Sequence, residues 1–412
     1  MAIYIVLAVP LVLCAAFEIF YKLKLSDFRS ARIIAEILLI AEVIAMTFIS
    51  GFRLSTGYDY HAYARIFIGT FFKSIENITT RHEKGYTLIN LFAGYLSIRL
   101  EILFVLVALI ISVLLYTALK KMSPYPMLGL LLFYLFGYYF NSMNFMRNMI
   151  SAMIILLAYT YLRDTRKTKP ESGQNLSREL TRSFIRYAVL VIAASTFHRS
   201  AILMLPVWLI LNIKFNIITL PAYAVISGVI IYFATPLMQF ITTYFYTDYD
   251  PLTSRQMMGS IPSIYSLCLG LVFIIAFLWR KKFYGTKWGT ILVSASYFAF
   301  FFGYLGSRHS VLGRFSLYFG PVTVIILIPE LINQLILIIN SPKANKKPEA
   351  NSELSGKIIA SFNKKINFKK ISAILSFVGL GAAAVTFFVY AITHNYNGVV
   401  PHDWIWNHVW TT

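Results

Sequence analysis

The chain has 412 residues, of which 58% are hydrophobic and 13% charged. Soluble domains run nearer half apolar and a quarter charged, so this composition excludes both a water-soluble globule and a disordered chain. Lys and Arg number 37 against 17 Asp and Glu, a net charge of +20; in a membrane protein such an excess sets topology before it suggests nucleic acid, and no nucleic-acid partner is expected.

A helix needs about 20 mostly apolar residues to cross the hydrocarbon core. Spans are predicted near 2–21, 32–50, 101–119, 125–142, 145–162, 217–236, 261–279, 289–305, 316–339 and 371–392, with two shorter runs at 184–197 and 200–213. No cleavable signal is expected, because the first apolar run begins at residue 2 without a basic region before it. The predicted fold is one all-α polytopic integral membrane domain over 1–412 with about 12 transmembrane helices. Cys14 and Cys268 lie inside apolar runs, which favours neither a disulfide framework nor a metal site.

Lys and Arg assign the sides. Lys22 to Arg32, Lys120 and Lys121, a loop over 163–183, Lys214, Arg280 to Lys287 and the Lys-rich stretch 340–370 read as cytoplasmic. The last, with Ser341-Pro342 and Lys347-Pro348, reads as a flexible linker. The parity closes if 51–100 lies wholly outside, with an interfacial helix near 86–98. Both termini then face out.

The basic residues left on the outer side are mostly arginine, among them Arg53, Arg65, Arg99, Arg147, Arg199, Arg308 and Arg314. Arginine stays charged and presents a rigid fork of donors that matches phosphate. At membrane depth such a charge needs a partner or a wet cavity. Each has a bland alternative. Arg53, in Gly51-Phe52-Arg53 with Asp59 six residues on, could close a turn. Arg147, in Asn144-Phe145-Met146-Arg147-Asn148, could snorkel from a helix end. His198-Arg199 joins two runs too short to cross comfortably, which puts a turn at membrane depth unless the first helix borrows polar residues such as Arg182. Glu83, in Glu83-Lys84-Gly85-Tyr86, is either a solvated carboxylate or a base. His309, beside Arg308, reads as an ordinary loop residue. Tyr58, Tyr60 and Tyr63 could stack on sugar rings. Glu18, Glu36, Glu42 and Glu330 are too scattered to argue for a proton path.

In order along the chain stand Gly51-Phe52-Arg53, Gly57-Tyr58-Asp59, Tyr63, Glu83-Lys84-Gly85-Tyr86, Asn90, Ser123-Pro124-Tyr125-Pro126, Asn144-x-x-Arg147-Asn148, Ser151 and Phe197-His198-x-Ser200, followed by Arg308 and Gly313-Arg314-Phe315. This series resembles the EpsG-like branch of the Wzy polysaccharide polymerases. It departs from the family at Asn148 and Ser151, where glutamine and alanine are usual. The resemblance implies a glycosyltransferase-C-like enzyme of the bacterial inner membrane that works on the periplasmic side in O-antigen or exopolysaccharide assembly. It would move a growing glycan from undecaprenyl diphosphate onto a hydroxyl of the next undecaprenyl-diphosphate-linked oligosaccharide. The bilayer and a chain-length regulator would be its partners, and neither cofactor nor metal is implied.

On that reading Arg53, Arg147, Arg308 and Arg314 form a diphosphate clamp, while His198, Asp59 and Glu83 are candidates for the catalytic base. His198 ranks first for its depth; Asp59 ranks second because nearby Arg53 should make it weakly basic. A flippase or transporter of the same lipid-linked sugar, a ligase and an O-acetyltransferase are the alternatives. A transporter should show two related halves or charge through the bilayer midplane.

Overall fold

A computed structural model describes residues 2–24, 28–72, 83–164, 173–211, 213, 215–245, 261–283, 287–306, 310–339, 353–399 and 403–404. Helix α1 (Ala2–Lys24) and helix α2 (Arg29–Gly51) are followed by a two-residue strand β1 (Arg53–Leu54). Next come α3 (Tyr60–Phe72), α4 (Lys84–Leu96) and α5 (Leu100–Met122). A central group contains α6 (Pro126–Leu135), α7 (Tyr138–Asn144) and α8 (Met146–Asp164). Then α9 (Gly173–Ser195), a 3-10 turn (Arg199–Leu203), α10 (Met204–Ile210), α11 (Leu220–Phe245) and α12 (Ile261–Leu278) complete the middle of the chain. The last third holds α13 (Arg280–Phe283), α14 (Lys287–Gly306), α15 (Ser310–Gly313) and α16 (Ser316–Val322). A π-helical turn (Thr323–Leu327) leads from α16 into α17 (Ile328–Ile339), and α18 (Glu353–Thr393) follows. Strand β2 (Asp403–Trp404) pairs antiparallel with β1, Arg53 opposite Trp404 and Leu54 opposite Asp403.

Among the described residues, six helices are long and apolar enough to cross a membrane: 2–24, 29–51, 100–122, 288–306, 316–339 and 369–393. Large apolar side chains stay exposed along them, for example Val6, Leu13, Ile37, Ile44 and Val378, a surface suited to lipid. The chain is a multi-pass membrane protein. The runs 125–142, 145–162, 200–213, 217–236 and 261–279 coincide with shorter apolar helices, whereas 184–197 is the second half of α9, a longer and more polar helix. The run 125–142 is divided into α6 and α7 at Gly137, whose φ of 73° takes the left-handed conformation open to glycine. A Cβ there would also meet the Phe387 ring at 2.7 Å.

Among the described residues, segment 51–100 holds α3 beside the expected α4. Two expectations are corrected. Helix α9 begins at Gly173, inside the predicted loop 163–183; it borrows polar residues, so the turn at 196–198 follows a full-length helix and not a short one. Helix α18 begins at Glu353, inside the stretch read as a flexible linker, where Leu354, Ile358, Phe362 and Ile366 recur at helical spacing.

The helices α6, α7, α8 and α16 and the π-helical turn after α16 form the buried hub, with Leu130, Tyr134, Phe140, Met149, Ile155 and Ile325 fully enclosed. At one end of the hub, Glu18 Oε2 accepts the Met127 and Leu128 amides (2.8 and 3.2 Å), which open α6 and lack helical partners. Lys22 pairs with Glu18 at 3.4 Å and donates to the Pro124 carbonyl. Glu36 accepts from Tyr116 and Lys120. These carboxylates tie helices together at that end. The opposite end carries the predicted site.

Candidate functional site

The site lies where α2, α8, α9 and α16 have their site-side ends and where two connecting segments cross them. Residues 56–59 bring Asp59 to the start of α3. Thr56 Oγ1 donates to the Leu54 carbonyl (2.9 Å), Tyr63 N donates to the Asp59 carbonyl (3.0 Å), and the Asp59 amide donates to Asn144 Oδ1 (2.9 Å). Arg147 stands in the first turn of α8, close to Asn144. Its Nη1 donates to Glu83 Oε2 at 2.6 Å, and its guanidinium lies over the Tyr86 ring at 5.7 Å. The other oxygen of Glu83 faces His198 Nδ1 at 3.6 Å, beyond an ordinary hydrogen bond. Glu83 therefore bridges an arginine and a histidine.

Gly85 fixes that bridge. Its amide donates to the Thr196 carbonyl at 2.8 Å. A Cβ at this position would come within 2.5 Å of Thr196 Oγ1 and 3.0 Å of the Thr196 carbonyl oxygen. Only glycine lets the start of α4 lie flat on the 196–198 turn, and this contact places Glu83 beside His198. Arg314, between α15 and α16, reaches in from the far side over the Phe145 ring, 5.5 Å away.

Charge and burial tune the three acidic and basic candidates. Burial raises the Asp59 carboxyl above its ordinary range, and Arg314 and then Arg147 oppose the rise. Burial would also raise Glu83, but His198 and Arg147 outweigh it and hold Glu83 at about 2. The ion pair at 2.6 Å suffices to keep that carboxylate charged. Burial pushes the His198 imidazole below its usual range; Glu83 pulls it back, while Arg314 and Arg147 act with burial. The side chains of Arg147, Glu83 and His198 remain 29%, 11% and 12% exposed, so the cluster has an open side.

A scan against family models matches the EpsG family over residues 36–171 and 175–344. The chain belongs to the EpsG family. Membership supplies a membrane polysaccharide-polymerase role, glycosyltransferase-like in general terms. No curated protein and no solved structure matches the chain. Asp59, Glu83, Arg147, His198 and Arg314 all fall within the EpsG-matched residues.

The structure brings these five together from five separate segments and leaves Arg53 out. Arg53 is 2% exposed. Its Nε donates to the Thr56 carbonyl (3.3 Å), its Nη2 to the Met143 carbonyl (3.0 Å), and its Nη1 to the Ser50 carbonyl. Its charge also rests on the Phe104 ring at 4.5 Å. Contrary to the sequence expectation, its donors go to three backbone carbonyls and to Met146 Sδ (3.2 Å), and the cations acting on Asp59 are Arg314 and Arg147. Tyr60 and Tyr63 are likewise buried, so neither offers a face to a sugar; Tyr58 remains exposed. Arg308 and His309 lie outside the described residues. Among the described residues no three His, Cys, Asp or Glu side chains gather as a metal site. Asn141 and Asn397 were missed by the motif reading, and Asn144 was noted without a role. The Asn397-Gly398 pair is a turn signal that could have marked the last segment.

Proposed function

We propose that this protein is a polysaccharide polymerase of the bacterial inner membrane, with its site facing the periplasm. It transfers a growing glycan from undecaprenyl diphosphate to a hydroxyl of the next lipid-linked repeat. The acceptor oxygen forms the new bond to the anomeric carbon as the anomeric bond to the diphosphate breaks. The diphosphate leaves with the bonding electrons, and the acceptor proton passes to a carboxylate. All-α membrane glycosyltransferases of the C type provide the structural analogy.

The observation that carries the proposal is the meeting of Arg147 and Arg314 beside Asp59, Glu83 and His198 in a chain of the EpsG family. The departing diphosphate gains charge as the anomeric bond breaks. Fixed guanidinium groups in a low-dielectric site stabilise that charge more in the transition state than in the ground state. Arg147 and Arg314 are the clamp, and Arg308 remains a proposed further member. Arg53 holds the floor beneath them.

Asp59, and not the first-ranked His198, is the proton acceptor: burial makes Asp59 more basic than an ordinary carboxylate while the two arginines keep it ionised, whereas burial and the same arginines make His198 a weaker base than an ordinary imidazole. Glu83, held at about 2, is too weak a base and serves to orient Arg147 and His198. His198 hydrogen-bonds the acceptor sugar. The test uses purified protein and undecaprenyl-diphosphate-linked glycan extracted from cells lacking this chain. Chain lengthening in detergent is the expected result, with single-repeat glycan persisting for Arg147→Ala. Movement of lipid-linked glycan across vesicles without lengthening would replace the polymerase with a transporter.

A further inference from the structure

The matched family region ends at residue 344, yet a segment beyond it reaches the site. After α18 the chain turns back through Asn395, Asn397 and Gly398, which have φ values of 50°, 64° and 66°. These are residue types that tolerate the left-handed region. The turn lays a strap along residues 53–58. Gly57 N donates to the Gly398 carbonyl (2.9 Å), and Tyr58 N donates to the Asn397 carbonyl (3.2 Å). The next amide, that of Asp59, donates to Asn144 Oδ1 (2.9 Å). Three successive amides ending at Asp59 are thus fixed, two by the strap and the third by an asparagine that the strap also holds. Asn144 Nδ2 donates to Asn397 Oδ1 (3.2 Å), while Asn397 Nδ2 donates to Asn141 Oδ1 (2.7 Å). All three asparagine side chains are buried, so each amide bond matters. The strap is anchored at its far side by Tyr4, whose hydroxyl donates to the Val399 carbonyl (2.9 Å), and by the β1–β2 pairing.

We infer that Asn397 is a positioning residue: through Asn144 it sets the place of Asp59, so the C-terminal strap completes a site whose other members lie in the family-matched region. The inference rests on the polymerase reading and on Asp59 as proton acceptor. It touches no substrate itself; its effect is on alignment in the transition state, where small misplacements are expensive.

Asn397→Gly keeps the left-handed turn and deletes only the amide. With the extracted lipid-linked glycan as probe, it is expected to lower kcat by about tenfold to a hundredfold while leaving KM within about twofold. Asn144→Ala should act through the same link, so the double variant should lose little more than either single one. Unchanged kcat in Asn397→Gly, or losses that multiply in the double variant, would overturn the inference. Should Asn397→Gly not accumulate in membranes, Asn144→Ala carries the test alone, because it cuts the link at Asp59 and leaves the strap's backbone bonds in place: lost kcat with steady KM supports the inference, and unchanged kcat overturns it. Asp59→Asn is run in parallel. Full activity in that variant would remove the base assignment whatever Asn397→Gly does, whereas an inactive Asp59→Asn beside a normal Asn397→Gly would sink only the positioning role.

Discussion

Arg53, whose guanidinium touches Met146, and Arg147, the next residue along, illustrate how one residue type takes two duties. Arg53 faces the Ser50, Thr56 and Met143 carbonyls and donates to each. Arg147 faces a carboxylate and an open side. Arg53→Ala should therefore cost about 1–3 kcal/mol of stability for each carbonyl left without a donor, read as a lower melting temperature in detergent, with near-normal KM in whatever folds. A normal melting curve with lost substrate binding would return Arg53 to the clamp.

The pH dependence belongs to the same scale. A base must be ionised to work, so chain extension should fall as pH drops through the Asp59 pKa, which burial has lifted above 3.8. Glu83 cannot produce that limb, since it stays charged down to about 2. Its depressed value also means that its contribution to stability is fully present above 4.5 and is lost as pH falls toward 2. Residual activity of Asp59→Asn with the acid limb still in place would move the role to His198, whose suppressed pKa would then set it.

At the scale of elements, the start of α4 and the 196–198 turn act as one unit held by Gly85. Gly85→Ala should cost about 1–3 kcal/mol through overpacking and should reduce chain extension by displacing Glu83. Gly69→Ala in α3 is the control: nothing lies within 4 Å of a Cβ there, and the helix should gain about 0.5–1 kcal/mol. Equal behaviour of the two variants in a melting assay would contradict the packing account. Helix α4 also presents Leu88, Phe92 and Tyr95 outward opposite buried Tyr86, Asn90 and Ala93, a distribution that supports the proposed interfacial placement.

These elements show what the sequence made legible. The apolar runs located most of the helices, because a span is written in consecutive residues. The motif order also picked out Asp59, Glu83, Arg147, His198 and Arg314, which the fold gathers. The role of Arg53 was not legible: an arginine that satisfies carbonyls and one that awaits phosphate look alike until their partners are placed. The starts of α9 and α18 were hidden by polar residues that mimic loops. The strap was hidden by distance, since Asn144 and Asn397 meet only through tertiary structure.

The whole molecule is a membrane bundle with two carboxylate–lysine pairs at one end and the cluster of Asp59, Glu83, Arg147, His198 and Arg314 at the other. Glu18–Lys22 and Glu36–Lys120 fasten helices, while Arg147 and Arg314 flank Asp59 across the hub. In the proposed reaction those two guanidinium groups receive the diphosphate. Affinity of the purified full-length protein for undecaprenyl diphosphate, measured for the native chain and four variants, tests this most directly. Arg147→Ala and Arg314→Ala should each weaken binding by about tenfold to a hundredfold, the worth of a charge-assisted contact, whereas exposed Arg65→Ala and Arg199→Ala should leave it unchanged. Equal affinities across all five proteins would contradict the account.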